Sequence, residues 1–279
     1  MKILIIGKGY LGMRCQDFWG EEAVVADGFI TSVADVDKLL LQHRPDAVLN
    51  AAGVVGKPNV DWCEDHQLPT IQGNTVLPIM IAEACQKQGV YLLHMATGCV
   101  YYGYSTDPLG WKESDFPNPS AVYTRSKYAA DLVLSTLPNV GIGRIRMPLD
   151  YLSTPANLIN KLASYPKVID VINSVTVVED MASAFYELLR QKASGIFHVT
   201  NPGAIRHHEI LELYRQYVDP THSNEWITAE DLVATGLAAR KRSNTILQSE
   251  NLSKYGIQLR PIKEAVEDTL RKYASFNKK

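Results

Sequence analysis

The stretch that decides the fold is Lys2-Ile3-Leu4-Ile5-Ile6-Gly7-Lys8-Gly9-Tyr10-Leu11-Gly12, an apolar run followed directly by a glycine-rich loop. The spacing Gly-x-Gly-x-x-Gly between a strand and a helix is typical of a turn that binds a dinucleotide. Gly7 would permit the tight turn, Gly9 would let the backbone approach a pyrophosphate, and Gly12 would allow the helix to pack closely on the sheet. The helix N-terminus would face the anion. A plain strand-to-helix turn needs similar glycines, so the loop alone does not decide between the two.

Short apolar runs alternate with segments of helical periodicity beyond this loop, and that order is typical of parallel strands joined by crossover helices. We predict strands at 2–6, 23–26, 47–50, 91–97, 143–146 and 195–199, and helices at 78–88, 121–134, 206–217, 228–237 and 261–273. The predicted fold class is α/β, a Rossmann-like doubly wound parallel sheet with a smaller, mostly helical C-terminal lobe. The sheet domain takes residues 1–147, with 174–200 returning to it. The second lobe takes residues 148–173 and 201–279.

The composition is that of an ordinary globular protein, with 46% hydrophobic residues, 21% charged residues and a formal net charge of -2. Without a basic excess, we expect no nucleic-acid partner. No stretch approaches the roughly 20 apolar residues that span a bilayer, so we expect no membrane partner. The cysteines show no C-x-x-C spacing, which argues against a zinc site or a disulfide framework and favours reduced thiols in the cytoplasm. They are Cys15, Cys63, Cys85 and Cys99.

Asp27 ends the second predicted strand, where an acidic side chain can accept hydrogen bonds from the adenosine ribose and repel a 2′-phosphate. That position would favour NADH over NADPH. Asp27-Gly28 is also a common turn sequence, so both cofactors stay open at this point.

Tyr123 and Lys127 stand four residues apart in a predicted helix, so their side chains lie on one face. A phenol that donates a proton at neutral pH benefits from a nearby ammonium, which lowers its pKa. Thr97 closes the apolar strand 91–97 at the carboxyl edge of the sheet, where folds of this class place their ligands. A packed aromatic, a solvated lysine and a strand-end threonine are the structural alternatives. Together with the glycine loop, the three residues indicate a carbonyl reductase.

These motifs match a known group. The glycine loop, Asn50-Ala51-Ala52-Gly53, Thr97 and Tyr123-x-x-x-Lys127 resemble the extended short-chain dehydrogenase/reductases over most of the chain. More narrowly, the chain is similar to the bifunctional 3,5-epimerase/4-reductases of nucleotide-rhamnose synthesis, and less closely to the dTDP-4-dehydrorhamnose reductases. The narrower likeness lies in residues 52–64, Ala96-Thr97-Gly98-Cys99-Val100, Arg146-Met147-Pro148 and Arg242-Ser243-Asn244.

The resemblance implies reduction by NADPH or NADH of the C4 ketone of a UDP- or dTDP-linked 4-keto-6-deoxyhexose, with Tyr123 protonating the forming alkoxide. It implies that Cys99 and Lys161 are the acid and base of a 3,5-epimerisation in the same pocket. The implied dinucleotide contacts come from Gly7, Gly9, Tyr10, Leu11, Gly12, Asp27, Asn50, Ala51, Ala52, Gly53, Tyr123, Lys127 and Met147. The implied substrate contacts come from Val54, Asn59, Trp62, Asn74, Asn173, Arg242 and Asn244, and a homodimer is possible.

Several alternatives stay open at this stage. Cys99 could be an inert buried thiol and Lys161 a solvated helix residue, because reductases without epimerase activity exist. The run Arg240-Lys241-Arg242 could be a solvated basic turn, and Trp62 could belong to the core. For the whole protein, the rival functions are a regulatory subunit that binds nucleotide without turnover and an NDP-sugar 4-epimerase with permanently held NAD.

Overall fold

The computed structural model describes residues 1–57, 59–240 and 242–277. Pro58, Lys241 and the two C-terminal lysines lie outside the described residues. The strands are β1 Ile3–Ile6, β2 Ala23–Val25, β3 Ala47–Asn50, β4 Tyr91–Thr97, β5 Val140–Ile145, β6 Pro148–Leu149, β7 Lys167–Ile169, β8 Ile172–Asn173, β9 Thr176–Val177, β10 Gly195–His198, β11 Ile205–Arg206 and β12 Glu225–Ile227. The helices are α1 Tyr10–Trp19, α2 Val33–His43, α3 Trp62–Asp65, α4 Gln67–Ile71, α5 Leu77–Gln88, α6 Val122–Leu134, α7 Leu158–Ser164, α8 Val178–Gln191, α9 His207–Tyr217, α10 Ala229–Ala234 and α11 Ile262–Phe276.

Six of the strands form one parallel sheet in the order β2-β1-β3-β4-β5-β10. The chain leaves β1 for β2 on one side and then returns to β3 on the other, so the direction of winding reverses at β1. In open parallel sheets the ligand lies outside the carboxyl ends of the strands at this point. The predicted doubly wound α/β sheet is confirmed.

The sheet is buried on both faces, and its strands are mostly apolar, as is typical of parallel sheets. In β1, Ile3 and Ile5 point to one core while Leu4 and Ile6 point to the other, since successive side chains of a strand alternate between faces. Helices α1 and α8 cover the first face, and α2, α5 and α6 cover the second.

Strand β5 begins three residues before its predicted start, because two glycines hide its pattern. A Cβ at Gly143 would lie 2.6 Å from the ring of Phe185, and one at Gly141 would collide with the Tyr91 hydroxyl. Close packing of neighbouring aromatic rings therefore requires glycine in a strand that propensity alone disfavours.

A third apolar core lies in the C-terminal half and is built from α7, α9, α11 and the strands around them. It contains three two-stranded sheets, β6 with β9, β7 with β12 and β8 with β11. These strands were not predicted, because two or three residues are too few to show a period. The predicted capping box of α10 is present, with Thr228 accepting a hydrogen bond from the Asp231 backbone. The helix ends at Ala234, three residues before the predicted end.

Among the described residues, no helix combines the length and the apolar character needed to cross a bilayer.

Candidate active site

The glycine loop wraps around the turn that follows β3. Gly7 has φ +119° and a Cβ there would lie 2.5 Å from the Ala52 nitrogen, while a Cβ at Gly12 would press on Gly7 and lie 3.2 Å from the Ala51 Cβ. Only Gly9 faces open space, because no atom of the described residues lies within 4 Å of where its Cβ would be. The space at Gly9 and the close packing at the other two glycines fit a backbone that receives a pyrophosphate.

The N-terminus of α1 is open to an anion. Gly9 is its N-cap, no side chain caps it, and its first turn holds no acidic residue. Within that turn, Tyr10 donates a hydrogen bond to Asp150 at 3.0 Å, and Leu11 packs against the apolar core. The predicted dinucleotide residue Tyr10 therefore also ties the loop to the second half of the chain.

Asp27 lies on the surface, with 85% of its side chain exposed, and forms an ion pair with Lys8 of the glycine loop. From the sequence, Asp27 is expected to repel a 2′-phosphate. In the structure its charge is matched by an ammonium that is itself exposed and free to turn towards another anion.

The turn after β3 is held in place by the buried side-chain amides of two asparagines, Asn50 and Asn74. The Asn50 side chain accepts a hydrogen bond from the Ala52 nitrogen at 3.1 Å and contacts His94 at 3.0 Å. Asn74 bonds both the nitrogen and the carbonyl oxygen of Val54, each at 2.8 Å. Both amides are fully buried.

Asn74 is predicted to line the sugar site, and in the structure its buried amide bonds the Val54 backbone and the Ser126 hydroxyl. Its position in a π-helical turn between α4 and α5 turns it inwards. Asn74 holds the backbone of Val54 in place, and its contribution to the sugar site stays a prediction.

Thr97, Tyr123 and Lys127 come together at the carboxyl end of β4. Thr97 accepts a hydrogen bond from the Cys99 nitrogen at 3.1 Å, and the Tyr123 phenol interacts with the Thr97 hydroxyl. The Lys127 ammonium is buried and donates to the Met95 carbonyl oxygen at 3.0 Å. It also lies beneath Gly53, 3.7 Å from a Cβ built there.

The electrostatics of the pair differ from the expectation that Lys127 lowers the pKa of the phenol. Burial raises the pKa of Tyr123 well above its usual range, Cys99 raises it further, and only the bond with Thr97 opposes this. Burial lowers the pKa of Lys127 to about 8, against the pull of Asp131. At neutral pH the site therefore holds a protonated phenol and a lysine that is still mainly charged.

Cys99 lies near both Lys161 and Tyr123, because it affects the pKa of each of them. Cys99 lies in the short turn Gly98–Val100 after β4, and it is the one partly exposed thiol among four free cysteines. Burial lowers the pKa of Lys161, while Cys99 raises it, so the lysine is near enough to interact with the thiol. The structure brings together the two residues expected to serve epimerisation, on opposite halves of the chain.

Arg146 of the Arg146-Met147-Pro148 motif is buried beside Cys99. Its guanidinium donates to the Cys99 sulfur at 3.0 Å, and also to the Asn173 side chain and to Ser243. Asn173 is fully buried and accepts from the Thr245 nitrogen at 2.9 Å, while its amide donates to Asn244 at 3.3 Å. Asn173 therefore fixes the segment 243–245 through its hydrogen bonds.

Arg242 forms a bidentate ion pair with Asp61, at 2.7 and 2.8 Å. Next to it, Arg240 pairs with Glu64 at 2.7 Å, and the other Glu64 oxygen accepts from the backbone nitrogen of Val122, the first residue of α6. The basic turn is therefore docked on the segment around α3 and is not simply solvated.

The remaining predicted residues border the same region. The Asn59 side chain accepts from the Asp61 nitrogen at 2.8 Å, which shapes the start of α3. Trp62 is half-buried, stacks on His66 and packs against Gly56, so it does not belong to the core. Met147 has φ +44°, a left-handed conformation that costs about 1–3 kcal/mol at a non-glycine residue. That bend redirects the chain at the end of β5, directly after Arg146.

The comparisons with known proteins agree with this geometry. A family model described as the RmlD substrate binding domain matches residues 1–275. The bifunctional dTDP-4-dehydrorhamnose 3,5-epimerase/dTDP-4-dehydrorhamnose reductase of Arabidopsis thaliana is 38% identical over 240 residues, which make up 84% of this chain and 78% of that protein. The chain spans only 41% of the length of three longer, trifunctional relatives from the same plant.

Two solved structures have the same fold. The crystal structure of the L780 UDP-rhamnose synthase from Acanthamoeba polyphaga mimivirus superposes with a TM-score of 0.89 at 27% identity, covering 97% of this chain and 99% of that one. The dTDP-4-dehydrorhamnose reductase from Bacillus anthracis, solved in complex with NADP, gives a TM-score of 0.82 at 23% identity, covering 96% and 98%. The resemblance stated from the motifs is confirmed.

Proposed function

Since this chain belongs to the family of RmlD substrate-binding domains, we propose that it reduces the C4 ketone of a nucleotide-linked 4-keto-6-deoxyhexose with NADPH or NADH. The observation that carries the proposal is the convergence of Thr97, Tyr123 and Lys127 at the carboxyl edge of the sheet, beside the glycine loop. A regulatory protein that only binds nucleotide has no use for that trio.

The dinucleotide fits the chain at the glycine loop, where Gly9 and the uncapped N-terminus of α1 leave room for a pyrophosphate. When bound, the nicotinamide supplies a hydride to C4. Lys8 and Asp27 would lie at the adenosine end, and their mutual ion pair supports the use of both cofactors: Asp27 suits a 2′-hydroxyl and Lys8 suits a 2′-phosphate.

The proton comes from Tyr123. Thr97 orients the C4 carbonyl by hydrogen bonding, and the Tyr123 phenol donates its proton to the oxygen as negative charge develops there. The raised pKa keeps the phenol protonated until the alkoxide, a far stronger base, forms beside it. The Lys127 ammonium, held on the Met95 carbonyl beneath Gly53, would bind the dinucleotide at the turn after β3.

A 3,5-epimerisation in the same pocket is supported by Cys99 and Lys161. Inverting a carbon next to the ketone requires one group to remove a proton and a second group to return one to the opposite face. The thiol follows β4 and the lysine lies on α7, so they approach the pocket from different elements. The activated sugar would carry UDP or dTDP.

We propose that dinucleotide binding and sugar-nucleotide binding divide between the sheet domain and the C-terminal lobe. We assign dinucleotide binding to residues 1–147 and 174–200, and sugar-nucleotide binding to 148–173 and 201–279. Arg242 supports the second assignment, because a guanidinium that already binds a carboxylate in a bidentate fashion has the geometry to bind a diphosphate. We also assign Asn244, together with Asn59 and Trp62 of the sheet domain, to the border of the sugar site.

The decisive experiment supplies UDP- and dTDP-4-keto-6-deoxyglucose with each nicotinamide and identifies the product by NMR. Wild-type protein should form a 6-deoxyhexose, and Tyr123→Phe should lower kcat about 10²- to 10⁴-fold, the usual value of a general acid. The matched control is Tyr128→Phe, which removes a hydroxyl one turn along α6. Nicotinamide binding without turnover would favour the regulatory subunit, and cofactor absorbance in the purified protein would favour the 4-epimerase.

Epimerisation has its own test. Deuterium from solvent should enter C3 and C5 of the 4-keto sugar with no nicotinamide present, and Cys99→Ser should abolish this exchange while leaving Tyr123-dependent reduction of an already epimerised sugar intact. Full exchange by Cys99→Ser would remove Cys99 from the mechanism.

A further inference from the structure

Arg146 is a buried cation without a counter-ion. Its side chain is 1% exposed, and it forms no ion pair with any carboxylate of the described residues. The acceptors around its two terminal nitrogens are the Cys99 sulfur, the Asn173 side-chain oxygen, and the carbonyl and hydroxyl oxygens of Ser243. Its Nε is buried with no partner among those residues.

The other buried arginines show what this site lacks. Arg144 is as deeply buried and pairs with Asp131 at 2.9 Å, and Arg14 pairs with Asp150 at 2.7 Å. Removing a guanidinium from water costs several kcal/mol, and a nearby negative charge normally offsets much of that cost. The desolvation cost of Arg146 is offset by a negative charge only if one of its acceptors is ionised.

Cys99 is the only one of these acceptors that can become an anion at physiological pH. Its sulfur lies 3.0 Å from the Arg146 Nη1, and the bond from its own nitrogen to Thr97 fixes its backbone. Two other titratable groups interact with Cys99: Lys161 on α7, a second cation, and Tyr123 on α6, a phenol that burial keeps protonated.

We propose that Arg146 is the counter-ion of a Cys99 thiolate, and that this ion pair makes Cys99 the base of the epimerisation; the second half rests on the proposed function. The thiolate takes the proton from the carbon next to the C4 ketone, the C–H electron pair moves to form an enolate, and Cys99 becomes a thiol. The Lys161 ammonium returns a proton to the opposite face and becomes an amine. Arg146 keeps its protons and acts as a positioning residue.

Alkylation by iodoacetamide tests the ion pair without any substrate, because thiolates react and thiols do not. Cys99 should be labelled selectively, since the other three cysteines are buried. Its labelling rate should stay high down to a pH clearly below the value of about 8.5 at which an ordinary cysteine loses half its reactivity. A wild-type midpoint at the ordinary value would overturn the proposal without any variant.

Two substitutions sharpen the test. Arg146→Gln should lower the labelling rate near neutral pH by about tenfold or more, which corresponds to a shift of one pH unit or more in the midpoint. Arg146→Lys should restore part of it, because it keeps the charge. Ser243→Ala is the matched control, since it removes a neutral contact of the same guanidinium and should leave the midpoint unchanged.

Each outcome is informative. If Arg146→Gln folds and its midpoint equals that of wild type, the counter-ion role is refuted; if it fails to fold, wild type and Arg146→Lys decide. A low midpoint combined with no solvent deuterium in the 4-keto sugar would keep the ion pair and refute the epimerase function. A labelling midpoint at the ordinary value, combined with full deuterium exchange in the 4-keto sugar, would refute the ion pair and keep the epimerase function.

Discussion

Substitution of Asp61 by asparagine should tighten the binding of a nucleoside diphosphate. In the structure the Asp61 carboxylate makes both of its oxygens available to Arg242, at 2.7 and 2.8 Å, in the fork geometry that a phosphate would also use. A diphosphate that binds Arg242 must therefore displace Asp61. An asparagine at this position has nearly the same shape but no charge, so the diphosphate meets less competition.

The magnitude follows from the exposure of the pair. The Arg242 and Asp61 side chains are 28% and 24% exposed, so solvent screens much of their attraction. Pairs at such sites contribute about 0.5–1 kcal/mol. Removal of that competition should lower the Kd for UDP by about two- to fivefold. Arg242→Ala, in contrast, should weaken UDP binding, since it removes the proposed ligand.

Isothermal titration calorimetry with UDP and with uridine measures the effect. The expected gain appears with UDP alone, because uridine has no phosphate to compete with Asp61. The control is Asp65→Asn, which removes an equal and exposed charge from the same short helix without touching Arg242. Weaker UDP binding by Asp61→Asn, or an equal gain in affinity in Asp65→Asn, would refute the prediction that a diphosphate displaces the Asp61 carboxylate from Arg242.

Further results are expected at the dinucleotide site and at Lys127. Gly9→Ala should leave Tm nearly unchanged and weaken dinucleotide binding. Gly7→Ala should lower Tm by many degrees, since Gly7 has φ +119° and its Cβ would lie 2.5 Å from a backbone nitrogen. Equal melting curves of the two variants would contradict this. Lys8→Ala should raise KM for NADPH about three- to tenfold more than KM for NADH, because an exposed cation contributes about 1 kcal/mol. Asp27→Ala should have the opposite bias, and steady-state rates with both cofactors measure it. The rate of reduction should fall as pH rises through about 8, where Lys127 loses its charge; a profile that stays flat to pH about 10 would refute this.

The central sheet could be predicted because its signal is local. Strands β3 and β4 have the predicted bounds, since each is a mainly apolar run that ends at a polar residue. Strand β5 began earlier than predicted because Gly141 and Gly143 serve contacts with rings that come from distant parts of the chain. The two-residue strands of the second lobe carry no period, so only tertiary structure defines them.

The candidate site divides in the same way. Thr97, Tyr123 and Lys127 were predicted from a strand end and a helix spacing, both of which are short-range patterns. The partner of Arg242 could not be predicted, because Asp61 lies 181 residues away in the sequence. The hydrogen bonds of Asn74 to the Val54 backbone could not be predicted for a related reason: in a sequence, an amide that holds backbone and one that faces a ligand look alike.

The short outer strands of the central sheet have a consequence for assembly. β2 offers three residues and β10 offers four, so each edge presents very few unpaired backbone groups to another chain. Long, flat edges are the ones that template aggregation, and this sheet lacks them at both sides. A second copy that extended the sheet would gain only a few hydrogen bonds, and any lasting self-association would have to be formed by helices and loops instead.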